Sequence, residues 1–88
     1  MKGAPFRIVV IDASGQPISE ASVTIVASTI AMPEIALLSD ESGVVQMTLP
    51  KGRFTFQSYG PNGLQGMISV ETDGIHASTA EIVLAEER

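Results

Sequence analysis

The sequence predicts an all-β domain, an antiparallel sandwich or small barrel of about seven short strands. Three observations lead there. Apolar residues recur at every second position in run after run, and clusters of Asp, Gly, Pro, Asn and Ser separate the runs at intervals of about ten residues. No stretch shows a convincing amphipathic helical period, although the alanine-containing segments leave room for one helical turn. The clearest unit covers residues 39–56, SDESGVVQMTLPKGRFTF: a polar turn, an alternating run, a Pro-Lys-Gly turn and a second alternating run.

In chain order, residues 6–12 read as the first strand, with Phe6, Ile8 and Val10 on one face and Arg7, Val9 and Ile11 on the other. The next residues, Asp12 to Pro17, form a turn, since Asp bonds to nearby backbone, Gly tolerates positive φ and Pro fixes its own φ. Residues 22–28 form the second strand, with Val23, Ile25 and Ala27 inward. Residues 29–34, TIAMPE, break the pattern because Pro33 cannot donate to a ladder and restricts its predecessor. Residues 35–39 are expected as a third strand, although IALL alone cannot be told from a helical turn by its period.

In the fourth strand Val45, Met47 and Leu49 face inward, and in the fifth Phe54 and Phe56. After the loop 59–63, residues 64–70 give the sixth strand. Thr72-Asp73-Gly74 turns the chain into a seventh strand over 76–84, with Ala80, Ile82 and Leu84 on one face, and residues 85–88 are a charged tail.

The totals set bounds. Eighty-eight residues make one domain, 1–88, with its core in 6–84. Such a chain buries ~60–65% of its unfolded surface, room for a single core. With 44% hydrophobic residues but only 5% aromatic, that core is built mainly from aliphatic side chains. Ten acidic against five basic residues give a net charge of −5, and Lys2, Arg7, Lys51, Arg53 and Arg88 form no run. This argues against a nucleic-acid partner, which is held largely by clustered Lys and Arg. The chain has no cysteine, so disulfides and thiolate metal sites are excluded and the fold is compatible with a reducing compartment. The apolar run 8–11 stops at Asp12, too short for a signal-peptide core, and nothing approaches the ~20 apolar residues of a membrane span. The sequence therefore leaves the compartment unassigned: cytoplasmic, or delivered with a parent protein or secretion machinery.

The residues also resemble the carboxypeptidase regulatory-like domain, a member of the transthyretin-like group of sandwiches. Val10, Asp12, Gly15, Pro17, Ile18, Ala21 and Val23 fit the first half of its pattern, and Asp40, Gly43, Leu49, Pro50, Gly52 and Phe54 the second. Ser39 stands where the family usually has Thr, and Tyr59-Gly60 replaces a Gly-Tyr pair. The resemblance implies a Greek-key, transthyretin-like β-sandwich and little about activity, because such domains are mostly non-catalytic accessories of bacterial and other proteins. The hydroxyisourate hydrolases, an enzymatic branch near this fold, end in a Tyr-Arg-Gly-Ser-like tail and use several His and Arg residues. This chain ends Ala85-Glu86-Glu87-Arg88 and has one His, which excludes that branch.

Each candidate site has a plainer reading beside it. His76, with Asp73, Ser69 and Ser78, contains the residue types of a hydrolase set, but close neighbours across a turn rarely reach triad geometry, and His76 is read as an ordinary strand residue. Asp12, Asp40, Glu41 and Asp73 could supply oxygens to calcium, yet no ligand run of that kind is present and turns account for them. Asn62, the only asparagine, sits in a Pro-Asn-Gly turn and is a poor partner for an isopeptide bond. A sugar platform would rest on Tyr59 alone. No catalytic, cofactor or metal residue is assigned and no enzyme is expected.

What is left over is apolar. Val9, Ile11 and Val26 fall opposite the expected core faces, and Ile30 and Met32 occupy a loop where polar residues would cost nothing. Joined in one patch they would form a partner surface; folded back, they would be covered by the twist of a small sandwich. The leading expectation is a protein-interaction or adaptor module that docks a partner, a parent domain or its own copy through that face or loop. A concrete version resembles the transthyretin-like extensions of bacterial type VI-like secretion spikes, which hold cargo. The alternative is an extracellular ligand-binding or stalk module of a surface protein.

Overall fold

The computed structural model describes residues 3–32 and 36–86. Its strands are β1 (Ala4–Asp12), β2 (Ser22–Ser28), β3 (Leu37–Leu38), β4 (Val44–Leu49), β5 (Gly52–Tyr59), β6 (Leu64–Thr72) and β7 (Ser78–Glu86), with one 3-10 turn at Pro61–Gly63. They form a single mixed sheet in the order β3-β2-β5-β6-β7-β1-β4, nearly closed into a barrel. The all-β class agrees with the sequence. The expectation of a wholly antiparallel arrangement does not hold, because β1 and β7 pair in parallel from Phe6 opposite Ser78 to Asp12 opposite Leu84. The other ladders are antiparallel.

The alternation that marked the strands sets what they bury. Phe6, Ile8 and Val10 from β1, Val45 and Leu49 from β4, Phe54 and Phe56 from β5, and Ile82 and Leu84 from β7 share one core with Ile18, Ala21 and Val23. The Phe6 and Phe56 rings stack across the interior, 5.8 Å between centroids and 8° from parallel. In β2 the alternation breaks: a register shift between Ile25 and Ala27 admits Val26 as an extra residue, so Ala27 is exposed rather than inward. A bulge of this kind re-aims the residues that follow it.

Several boundaries differ from the sequence reading, with β1 starting earlier, at Ala4, and β6 running on to Thr72. The third strand shrinks to Leu37–Leu38, and part of the expected stretch, together with Pro33, lies outside the described residues. Ser39 continues the register through its amide, which donates to the Ala21 carbonyl at 2.9 Å, and its buried hydroxyl accepts the Ala21 amide at 2.9 Å and donates to the Ile18 carbonyl at 2.6 Å, pinning the β1–β2 connection. The seventh strand starts at Ser78 and takes in Ala85 and Glu86, which read as tail. His76 belongs to the preceding loop, because the Asp73 Oδ1 accepts the amides of Ile75 and His76 and curls the chain before it can extend.

Two further Asp residues act in the same way. Asp12 Oδ1 accepts the Ser14 and Gln16 amides and the Ser14 hydroxyl, which holds this carboxyl below its ordinary pKa. Asp40 Oδ1 accepts the Ser42 and Val44 amides. The β6–β7 ladder is short, with only Leu64 opposite Glu86 and Gln65 opposite Ala85 in register. Gly66 lies so close to the Val83 carbonyl oxygen that no side chain fits there.

Candidate interaction surfaces

The sheet brings some of the apolar candidates together and separates others. On β1 the outward residues are Arg7, Val9 and Ile11; Val9 lies opposite Val44 of β4, and Ile11 lies beside Val83 of β7. The same period places Val44 and Val83 on the outer face, so Val9, Ile11, Val44 and Val83 form one apolar strip. Val83, 49% exposed, is its most open member. Glu81 lies beside Val9 and Arg7 precedes it on β1, so the two charges border the strip on one side. Sequence reasoning found Val9 and Ile11 but not Val44 and Val83, since those join only through pairing with β4 and β7.

Val26 does not belong to this strip. It lies exposed on the bulge of β2, in the other half of the sheet. Ile30 and Met32 pack against the core. Of the five residues singled out in the sequence, two share a surface, one stands apart and two help close the interior.

A second apolar feature lies where the barrel fails to close. β3 and β4 are the two ends of the sheet order. Between them runs a cleft of about 160 Å³ lined by Val23, Ile25, Met32, Leu37, Met47, Thr48, Leu49 and Phe56. Leu38 on β3 is 66% exposed.

The polar candidates sit elsewhere. His76 Nδ1 and Asp73 Oδ2 are 2.5 Å apart, beside a hollow of about 350 Å³ that Lys51, Glu71, Thr72 and Ser78 also line. Ser69 does not join them, since its hydroxyl bonds the Thr55 hydroxyl at 2.8 Å on the outer face of β5 and β6. Next to that pair Arg53 and Glu71 form an exposed ion pair, with Arg53 Nε donating to Glu71 Oε1 at 3.1 Å. Among the described residues no group of three His or carboxylate side chains is placed to hold a metal. Asn62 occupies the left-handed region at φ 60°, as its turn requires.

The Asp73–His76 pair is electrostatically tuned. The His76 side chain, then the His76 and Ile75 amides, hold the Asp73 carboxyl well below the ordinary carboxylate range. Asp73 in turn raises the His76 pKa. A raised histidine pKa contributes stability that is complete below the unfolded-state value and is lost as pH rises through the folded-state value. Both groups are exposed, so solvent screening keeps that contribution small. The measurable result is an NMR titration in which His76 has a higher midpoint than it does in Asp73→Asn; equal midpoints would show that the pair does not form in solution.

No family model matches the chain, and no curated protein matches it. Among solved structures it is similar to the Bacillus anthracis TIE protein, with a TM-score of 0.74 at 11% identity over 94% of this chain. The chain spans 16% of that protein's length, and at this identity the likeness concerns the fold alone.

Proposed function

We propose that this domain is a non-catalytic docking module of a bacterial protein, binding another protein or a neighbouring domain of its parent through the outer face of β4, β1 and β7. The observation that carries the reading is the strip of Val9, Ile11, Val44 and Val83, bordered on one side by Arg7 and Glu81. Apolar residues gathered at the centre of one sheet face, with charges at its border, are the composition of a contact surface. The transthyretin-like sandwich and the carboxypeptidase regulatory-like family belong to the same reading. The strand order supports them, since the ladder between β4-β1-β7 and β3-β2-β5-β6 is the short β6–β7 pairing. A likeness covering about a sixth of a longer chain suits an accessory module, and cargo holding in a type VI-like secretion spike is one setting for it.

A photo-crosslinking residue at Val83 tests the reading in the bacterium of origin. It is expected to yield a discrete protein adduct that disappears in an Ile11→Asp background and is absent when the same crosslinker replaces Thr55 on β5, in the other half of the sheet. Equal adducts from both positions, or none from position 83, would overturn it.

A further inference from the structure

The two ends of the sheet are guarded unequally. β3 is a two-residue strand, short enough to offer little to another chain, whereas β4, VVQMTL, carries no Pro, Gly or charge. Natural edge strands are usually blunted by such devices. The direction of its free backbone groups follows from the turn before it. The Val44 amide donates to Asp40 Oδ1 and the Val44 carbonyl accepts the Asp40 amide, so both point away from β1. With the two-residue period of a strand, Val45, Met47 and Leu49 bond to β1, while Gln46 and Thr48 turn their N–H and C=O groups to an edge that no other strand among the described residues pairs with. Both residues are exposed.

We propose that this edge pairs with the same edge of a second copy, antiparallel, about a two-fold axis at Met47. The register follows from the free groups. Because the Val44 groups are already used, the pairing that satisfies all four free groups of each copy sets Gln46 opposite Thr48 and Thr48 opposite Gln46. An isologous contact of this kind is self-complementary and closed, so it stops at two. Charge favours it as well. The edge itself is neutral in a chain of net charge −5. In this register Lys51 of one copy falls opposite Gly43 of the other, next to the acidic Asp40-Glu41 turn. Met47 meets its counterpart at the axis, and the apolar cleft between β4 and β3, lined by Leu37, Met47 and Thr48 among others, is brought against the second molecule. The surface is distinct from the outer-face strip, and neither reading depends on the other.

Thr48→Pro tests it, since proline removes an amide that faces the open edge and leaves the β1 ladder whole. In sedimentation equilibrium the native chain is expected to rise from the mass of one chain to that of two with concentration. Thr48→Pro, with unchanged circular dichroism, should raise the dissociation constant by about tenfold or more, the scale of losing edge hydrogen bonds. Lys51→Glu should weaken the dimer, and Lys51→Glu with Glu41→Lys should restore it. A native chain that stays monomeric, a dimer indifferent to Thr48→Pro, or one lost in Val83→Asp but kept in Thr48→Pro would overturn the proposal, the last by moving the contact to the outer face.

Discussion

Replacing Phe56 with alanine is expected to remove ~3–5 kcal/mol of stability, the usual cost of deleting a fully buried aromatic ring. Phe56 is fully buried, stacks on Phe6 and borders the cleft beside β4, so its loss takes away a contact across the interior and enlarges an opening the fold already has. A domain of this size has roughly 5–10 kcal/mol in total, so the variant lies close to the unfolding threshold at room temperature. Urea denaturation checks this: the midpoint should fall by about half while the slope is kept. A shift matching less than about 1 kcal/mol would mean that Phe6 and its neighbours collapse into the space, against the close packing of protein interiors.

Gly43→Ala is expected to cost about 3 kcal/mol, more than a typical surface change, for two reasons that add. The residue has φ of +76°, where a side chain costs ~1–2 kcal/mol. A Cβ there would also lie 2.5 Å from the Val10 carbonyl oxygen and 3.1 Å from the Pro17 ring. Relieving that clash pulls on the bond from the Val10 amide to the Gly43 carbonyl, 2.7 Å long, which fastens the turn before β4 to β1. Gly15→Ala separates the two causes. It has φ of +89° but nothing within 4 Å of its would-be Cβ, so it should lose only ~1 kcal/mol. Thermal melts of the two variants side by side decide the matter; equal losses would show that the contact with Val10 contributes nothing.

The strands were legible because their period is local. Phe6, Ile8 and Val10, or Phe54 and Phe56, show their buried face within a few residues, and the Asp and Gly turns between them are equally short-range. Relations between distant segments were not legible. Nothing in residues 6–12 or 78–84 says that the two will lie side by side and parallel, since each alternates in the same way whichever neighbour it takes. The bulge at Val26 escaped for a related reason: Val23, Ile25 and Ala27 keep a regular pattern in sequence, and the slip exists only relative to β5. His76 was assigned to a strand because its residue type is neutral about structure; the Asp73 carboxylate, bonding two amides, decides against it. The candidate surfaces were half legible for the same cause. Val9 and Ile11 declare themselves by facing away from the core, but Val44 and Val83 join them only by pairing. The free edge of β4 depends on a strand order that no short window contains.

The parallel pairing of β1 with β7 also decides how the molecule bears tension. Ala4 starts β1 and Glu86 ends β7, and because the strands run the same way these two points lie at opposite ends of their shared ladder. A pull between them slides one strand along the other and strains the whole ladder, from Phe6 and Ser78 to Asp12 and Leu84, at once. Had the strands been antiparallel, the same pull would have opened the ladder one bond after another from one end. In this geometry a pull between Ala4 and Glu86 loads the ladder in shear, and its hydrogen bonds share the force.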